Sequence, residues 1–124
     1  GYYDLALDKI YNTQFHTVKY KIQSRSLLVR CYYEKLTWTP EQLNDLITKL
    51  ENFHKYIYRL NPSYEGYKDR YFNLIKVLKA LLRFNSYYDT PTKFSLKWGE
   101  FINSEPIVAR SWLIQKLDIV VDLR

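Results

Sequence analysis

Apolar residues recur at spacings of three and four along most of the chain, which is typical of amphipathic α-helices. The clearest run lies between Pro40 and Asn61. Its members are Leu43, Leu46, Ile47, Leu50, Phe53, Ile57 and Leu60. A helix start is indicated by Thr39 as N-cap, Pro40 at the first helical position and Gln42 three residues after the cap, a capping-box pattern. We therefore predict a helix over 40–60.

A second helix is predicted after Asn61-Pro62, which ends the first. Ser63 is expected to cap it, and it should end near Asn85-Ser86. Its apolar stripe consists of Tyr67, Tyr71, Leu74, Ile75, Leu78, Leu81 and Leu82.

Upstream, a helix over about 16–36 has apolar residues on two faces. The first face holds Phe15, Val18, Ile22, Val29 and Leu36, and the second holds Leu27, Leu28 and Cys31. The alternation of Val18, Tyr20 and Ile22 also fits a strand, but period two is lost beyond Ile22.

Two shorter helices are predicted near the end of the chain. Thr90-Pro91 should open one that carries Phe94, Trp98, Phe101 and Ile102. Ser104-Glu105-Pro106 should open the last. The inward residues of that helix are Ile107, Trp112, Leu113, Leu117, Val120 and Val121.

The helix starts near 16, 40 and 64 are joined by short connections, so consecutive helices should lie antiparallel. We predict an all-α fold of antiparallel helical hairpins, stacked as a right-handed solenoid or closed as a helical bundle. The two-faced helix favours the solenoid. With 124 residues, the chain should form one domain, 1–124.

The start of the chain reads as the second half of a hairpin, with a helix over 2–11 carrying Leu5, Leu7 and Ile10. This favours a C-terminal fragment of a longer repeat protein, and self-association through this helix would then cover its apolar residues. The alternative is the ordinary first helix of a complete bundle.

The segments SLLVRCYYEKL, LENFHKYIYR, YFNLIKVLKALLRF and ARSWLIQKL resemble tetratricopeptide-like (TPR-like) helical repeats, and are similar to the C-terminal region of large uncharacterised bacterial proteins built of such repeats. Leu28 and Tyr32 match the repeat's first helix, and Pro62 stands near its closing Pro. One hairpin takes about 48 residues here, against about 34 in the repeat. The resemblance implies a scaffold for other proteins and supplies no site residues.

Composition excludes several classes of protein. The chain is 47% hydrophobic and 18% aromatic, which excludes disorder, and its single Cys31 excludes a disulfide scaffold. No apolar run reaches the 18 residues of a membrane span. A lone Cys in an apolar helix is typical of an inert residue in a reducing compartment, so we expect a cytoplasmic protein.

Catalytic candidates are few. Glu51 and His54 have the i, i+3 spacing used in di-iron bundles, but no second pair accompanies them. We expect His54 to be a partly buried structural residue. One Cys and two His cannot form a zinc cluster, and three isolated Gly form no phosphate loop. We therefore predict no enzyme activity, no cofactor and no metal.

The net charge of +6 is concentrated in two helices. Segment 16–36 has five basic residues against one acidic residue, and segment 64–84 has five against two. If both line one surface of a solenoid, that surface is basic and rich in Tyr. The candidate partner-binding face consists of Lys21, Arg25, Tyr32, Lys68, Arg70, Tyr71 and Lys79.

We predict that this face binds a partner protein or an acidic peptide. Single-stranded RNA is the alternative ligand, because bases stack on aromatic rings and phosphates pair with cations. A third interpretation is a solvated face whose long side chains cover apolar surface.

Overall fold

The computed structural model describes residues 1–6, 18–60, 62–85 and 88–123, which are helical and contain no strand. The α-helices are α1 (Val18–Glu34), α2 (Pro40–Tyr58), α3 (Glu65–Arg83), α4 (Pro91–Ser104) and α5 (Arg110–Leu123). Residues 2–6 are also helical, and a 3₁₀ turn covers Pro62–Tyr64. The predicted all-α class is confirmed.

The chain divides into two compact units, Gly1–Ile57 (unit 1) and Tyr58–Arg124 (unit 2), and each is described by itself. The single domain 1–124 and the choice between solenoid and bundle stay predictions.

In unit 1, two cation–aromatic contacts show that α1 and α2 are antiparallel. The guanidinium of Arg25 lies 4.0 Å from the centroid of the Tyr56 ring, and Nζ of Lys49 lies 4.8 Å from that of Tyr32. From the first contact to the second, the position on α1 advances by seven residues, whereas the position on α2 goes back by seven. The two contacts are two turns apart along each helix.

The start of α2 follows from local sequence. Thr39 Oγ1 accepts a hydrogen bond from the Gln42 amide at 3.3 Å, as an N-cap does. Gln42 Oε1 does not return to the cap residue, but accepts from the Thr37 amide at 2.8 Å. Trp38, between the two threonines, has φ of 64° and places its ring edge-on to Tyr33. The helix begins where predicted. The Gln42 side chain, however, bonds to the amide of Thr37, two residues before the one that a capping box would use.

Both predicted faces of α1 contribute to the core of unit 1. Ile22 and Val29 on one face and Cys31 on the other are buried, while Leu27 and Leu28 are half-buried. The residues of α2 that are buried are Leu46, Leu50, Phe53 and Ile57.

Just after α1, Lys35 pairs with Asp4 near the start of the chain. The hydrogen bond from Lys35, together with the terminal amino group, lowers the pKa of Asp4.

In unit 2, the connection between α4 and α5 is fixed against α3. Asn73 Nδ2 donates to the Pro106 carbonyl oxygen at 2.8 Å, and the Val108 amide donates to the Arg70 carbonyl oxygen at 3.4 Å. Most of the core comes from α3, whose buried apolar residues are Tyr71, Leu74, Ile75, Val77, Leu78, Leu81 and Leu82. The other buried apolar residues of unit 2 are Phe84, Ile102, Ile107, Leu113, Leu117 and Val120.

Two predicted helix starts in unit 2 are wrong. The chain first makes the 3₁₀ turn Pro62–Tyr64, so the N-cap of α3 is Tyr64 and not Ser63. The last helix begins at Arg110 and not after Ser104. The Glu105 amide still bonds to Phe101 O of α4, and Ala109 has φ of 59°, which turns the chain before α5.

Part of the predicted N-terminal helix is seen. Residues 2–6 are helical, and Leu5 is 70% exposed. Leu7, Ile10 and Phe15 lie outside the described residues, so self-association through this helix stays a prediction.

Candidate interaction surface

Two of the predicted residues of α1, Arg25 and Tyr32, line a shallow groove between α1 and α2. Lys21 and Arg25 are exposed, and Tyr32 is half-buried. The groove has a volume of about 170 Å³ and is lined by Arg25, Leu28, Val29, Tyr32, Lys49, Asn52 and Phe53. Apolar side chains thus form its middle, and a cation lies towards each end.

The cations of this groove already have aromatic partners. Arg25 lies over Tyr56, and Lys49 lies over Tyr32 while also pairing with Asp45 at 2.6 Å. Exposed cation–π contacts contribute about 0.5–1 kcal/mol each. These contacts therefore help to hold the α1–α2 hairpin together.

Two predicted face residues of α3 are buried, so their assignment to an exposed face is wrong. Lys68 is 3% exposed, and its Nζ donates to the Leu60 carbonyl oxygen at 2.7 Å and to Glu65 Oε1 at 3.3 Å. Carbonyl oxygens just past a helix C-terminus attract a cation, which explains its inward position. Tyr71 is 3% exposed, and its hydroxyl lies 3.2 Å from that of Tyr67.

The other two predicted residues of α3 reach solvent. Arg70 is exposed and Lys79 is half-buried. A single surface formed by segments 16–36 and 64–84 stays a prediction.

Unit 2 has a larger cation-rich surface, between α3 and α4, that the sequence analysis did not select. We call it the Trp98 surface and define it as Lys76, Arg83, Lys93, Phe94, Lys97, Trp98 and Phe101. It contains two open hollows, of about 510 and 300 Å³. Lys97 and Trp98 line both, so the two hollows are adjacent along α4.

A row of aromatic rings forms the apolar part of this surface. Phe84, which is buried, lies 4.5 Å from Phe94 between ring centroids. Phe94 lies 6.4 Å from Trp98, and Trp98 lies 5.4 Å from Phe101. The last three rings are half-buried. Anchored at Phe84, the row supplies a packed apolar floor.

The rim of the Trp98 surface is cationic. Lys76, Arg83, Lys93 and Lys97 are exposed, and within the described part of the chain none of the four forms an ion pair. Two of them lie over rings, with Lys76 Nζ 4.9 Å from Phe101 and Lys97 Nζ 5.1 Å from Trp98.

Two carboxylates also line the hollows, Asp89 in the larger and Glu100 in the smaller. Asp89 Oδ2 accepts a hydrogen bond from the Asn85 amide at 3.0 Å and closes a local turn. The surface is positive because it has four cations and only two carboxylates. One of those carboxylates, Asp89, is bonded to a backbone amide.

The candidate catalytic residues lie on α2 of unit 1. With respect to solvent exposure alone, Glu51 and His54 are both exposed on α2, so the expectation of a partly buried His54 is wrong. Among the described residues, no three His, Cys, Asp or Glu side chains lie close enough to hold a metal ion. Cys31 is buried, and its burial raises the pKa of the thiol.

Within the described part of the chain, no helix has the length and apolar character needed to cross a membrane.

Comparison of the chain with protein-family models, curated protein sequences and solved structures gave no match. The resemblance to tetratricopeptide-like repeats therefore stays a prediction, and the function must be argued from the surface itself.

The Trp98 surface is not visible when charges are added up helix by helix along the sequence. Its cations come from two helices, and α4 also contains Glu100, so no single segment around Lys97 stands out. A detectable signal was present in the spacing of Lys93 and Lys97, four residues apart, beside Phe94, Trp98 and Phe101 on the same helix.

Proposed function

We propose that the chain is a non-catalytic helical-repeat scaffold that binds another protein. The observation that carries this proposal is the Trp98 surface, which combines half-buried aromatic rings with cations that lack carboxylate partners within the described residues. Aromatic and Arg side chains are enriched among the residues that dominate protein–protein interfaces. Ordered hollows beside such residues suit the side chains of a partner.

We further propose that the antiparallel hairpins stack as tetratricopeptide-like repeats in a bacterial protein, as the resemblance implies, and that the protein is cytoplasmic, as the lone Cys31 favours. The two buried faces of α1, with Ile22 on one and Cys31 on the other, support stacking because an inner helix contacts two neighbours.

Single-stranded RNA binding through a basic, Tyr-rich face has less support. Lys68 and Tyr71, two residues of that face, are buried.

Site-specific photo-crosslinking in the host cell tests the proposed function. The photoreactive residue p-benzoylphenylalanine replaces Thr90, which is exposed and lines the larger hollow, or Gln115, which is exposed on α5 of the same unit. We expect a discrete protein adduct from position 90 that resists nuclease, and none from position 115. The proposal is wrong if the adduct at 90 is lost on nuclease treatment, or if both positions give the same adducts.

A further inference from the structure

The chemistry of the Trp98 surface indicates which part of a partner protein it would bind. Lys93 and Lys97 are exposed, and with Arg83 they surround the hollow of about 510 Å³ whose apolar floor includes Phe94 and Trp98. Pockets that hold small ligands have volumes of roughly 300–1,000 Å³. The hollow therefore has room for an apolar side chain together with the backbone that carries it.

The spacing of the cations along α4 matches that of an extended peptide. Lys93 and Lys97 are four residues apart, which corresponds to a rise of about 6 Å along the helix. Side chains on one face of an extended peptide repeat every second residue, at about 7 Å. Carboxylates at alternate positions of a peptide can thus each reach one of these ammonium groups.

On these grounds, and resting on the proposed function, we propose that the Trp98 surface binds an extended acidic segment of the partner protein. Carboxylates at alternate positions pair with Lys93 and Lys97, and an adjacent aliphatic or aromatic side chain enters the hollow against Phe94 and Trp98. Charge complementarity selects an acidic segment, because a basic one would meet four like charges on the rim.

The smaller hollow extends the same binding site. Lys76 and Lys97 line it together with Trp98 and Phe101, and Glu100 lies at its edge. A carboxylate placed there faces Lys76 and Lys97 at once, with Glu100 as the opposing charge. The peptide therefore runs along α4 across both hollows, with Trp98 at their junction.

The test uses the 124-residue chain and the NMR signals of its three tryptophan indole N–H groups. The signal of Trp98 is identified by its loss in Trp98→Phe. The probe is a 12-residue peptide with Glu at alternate positions and two central Leu residues. The controls are the same peptide with every Glu replaced by Gln, and polyuridylate. We expect the acidic peptide to shift the Trp98 signal and to leave those of Trp38 and Trp112 unchanged.

Charge reversal then locates the binding. The double variant Lys93→Glu, Lys97→Glu should bind the acidic peptide at least about tenfold more weakly. The matched variant Lys19→Glu, Lys55→Glu carries the same charge change on exposed positions of α1 and α2 and should bind within about twofold of the parent. Lys93→Gln with Lys97→Gln serves if the reversed variant does not fold.

Three results would overturn the inference. They are equal binding of the Gln peptide, equal loss of binding in the Lys19→Glu, Lys55→Glu variant, and a Trp98 shift with polyuridylate but not with the peptide. If the peptide fails while crosslinking at position 90 still captures a protein, the scaffold function stands and only the acidic segment is wrong. A nuclease-sensitive adduct would contradict both.

Discussion

The ammonium group of Lys68 donates a hydrogen bond to the carbonyl oxygen of Leu60 at 2.7 Å. Arg110 plays a similar part at the end of α4, with Nε donating to Ile102 O at 2.9 Å and Nη2 to Glu105 O at 3.0 Å. In each case a cation near the start of one helix satisfies carbonyl oxygens at or just past the end of the preceding helix. Part of the positive charge of the chain thus maintains its fold.

Replacement of Lys68 should destabilise unit 2. In Lys68→Met the apolar stem is retained, but the carbonyl of Leu60 loses its charged donor, at a cost of about 2 kcal/mol. Urea unfolding followed by the fluorescence of Trp98 and Trp112 measures the loss. Lys79→Met, the same change at a half-buried position of α3, should stay within about 0.5 kcal/mol of the parent. Equal effects of the two changes would contradict the role of Lys68.

Thr39→Ala should remove the N-cap of α2. Its Oγ1 accepts the Gln42 amide, and loss of such a cap costs about 1 kcal/mol. Thr37→Ala is the matched control, because Thr37 takes part through its backbone amide, which alanine retains. Urea unfolding followed by circular dichroism compares the two. A Thr37→Ala variant as unstable as Thr39→Ala would show that the hydroxyl of Thr39 is not the cap.

Gly99→Ala should stabilise the chain by about 0.5–1 kcal/mol, since alanine favours a helix interior over glycine. Gly66→Ala should stabilise it by less, because Gly66 lies in the first turn of α3. Neither glycine has a positive φ. A Cβ at position 99 would meet Leu117 Cδ2 at 3.9 Å, an ordinary contact, and one at position 66 meets nothing within 4 Å. Thermal unfolding of both variants measures the gain. If Gly99→Ala is destabilised while Gly66→Ala is stabilised, α4 and α5 lie too close together for a Cβ atom at position 99.

Cys31 should react slowly with thiol reagents in the folded chain. It is buried, and its burial raises the thiol pKa, so both access and thiolate are reduced. An exposed thiol introduced by Ser111→Cys in a Cys31→Ala background should react with Ellman's reagent at least about 100-fold faster. Urea should abolish this difference. Comparable rates without denaturant would contradict the burial of Cys31.

The same shift in pKa predicts a pH dependence of stability. Because burial raises the pKa of Cys31 in the folded chain, the unfolded chain releases the thiol proton first as the pH rises. The contribution of Cys31 is complete below the usual thiol pKa near 9.0 and decreases above it. The free energies of unfolding of the parent and Cys31→Ala should therefore converge at high pH. A constant difference between pH 7 and 10 would contradict the shift.

Features that depend on a few neighbouring residues were predictable from the sequence. Thr39, Pro40 and Gln42 give the start of α2 because an N-cap and its first turn are local. The core positions of α3, such as Leu74 and Leu78, follow from helical spacing. The start of α5 was not predictable in this way, because α4 continues through Ser104 and Ala109 takes a positive φ that non-glycine residues rarely adopt.

The candidate site depended on contacts between helices, which spacing does not reveal. Lys68 occupies a position on α3 that looks exposed in sequence, and only the Leu60 carbonyl shows why it is buried. The Trp98 surface forms because Lys76 of α3 lies beside Phe101 of α4, at 4.9 Å from Nζ to ring centroid. The net charge of a single segment does not show which residues of two different helices lie side by side.

The most direct test of the central claim, that the Trp98 surface binds a partner segment, is hydrogen exchange with and without the alternating acidic peptide. We expect slower amide exchange in α4 and in the end of α3 near Arg83, where the hollows lie, with α1 unchanged. Protection confined to α1, or no protection in any helix at saturating peptide, would contradict the account.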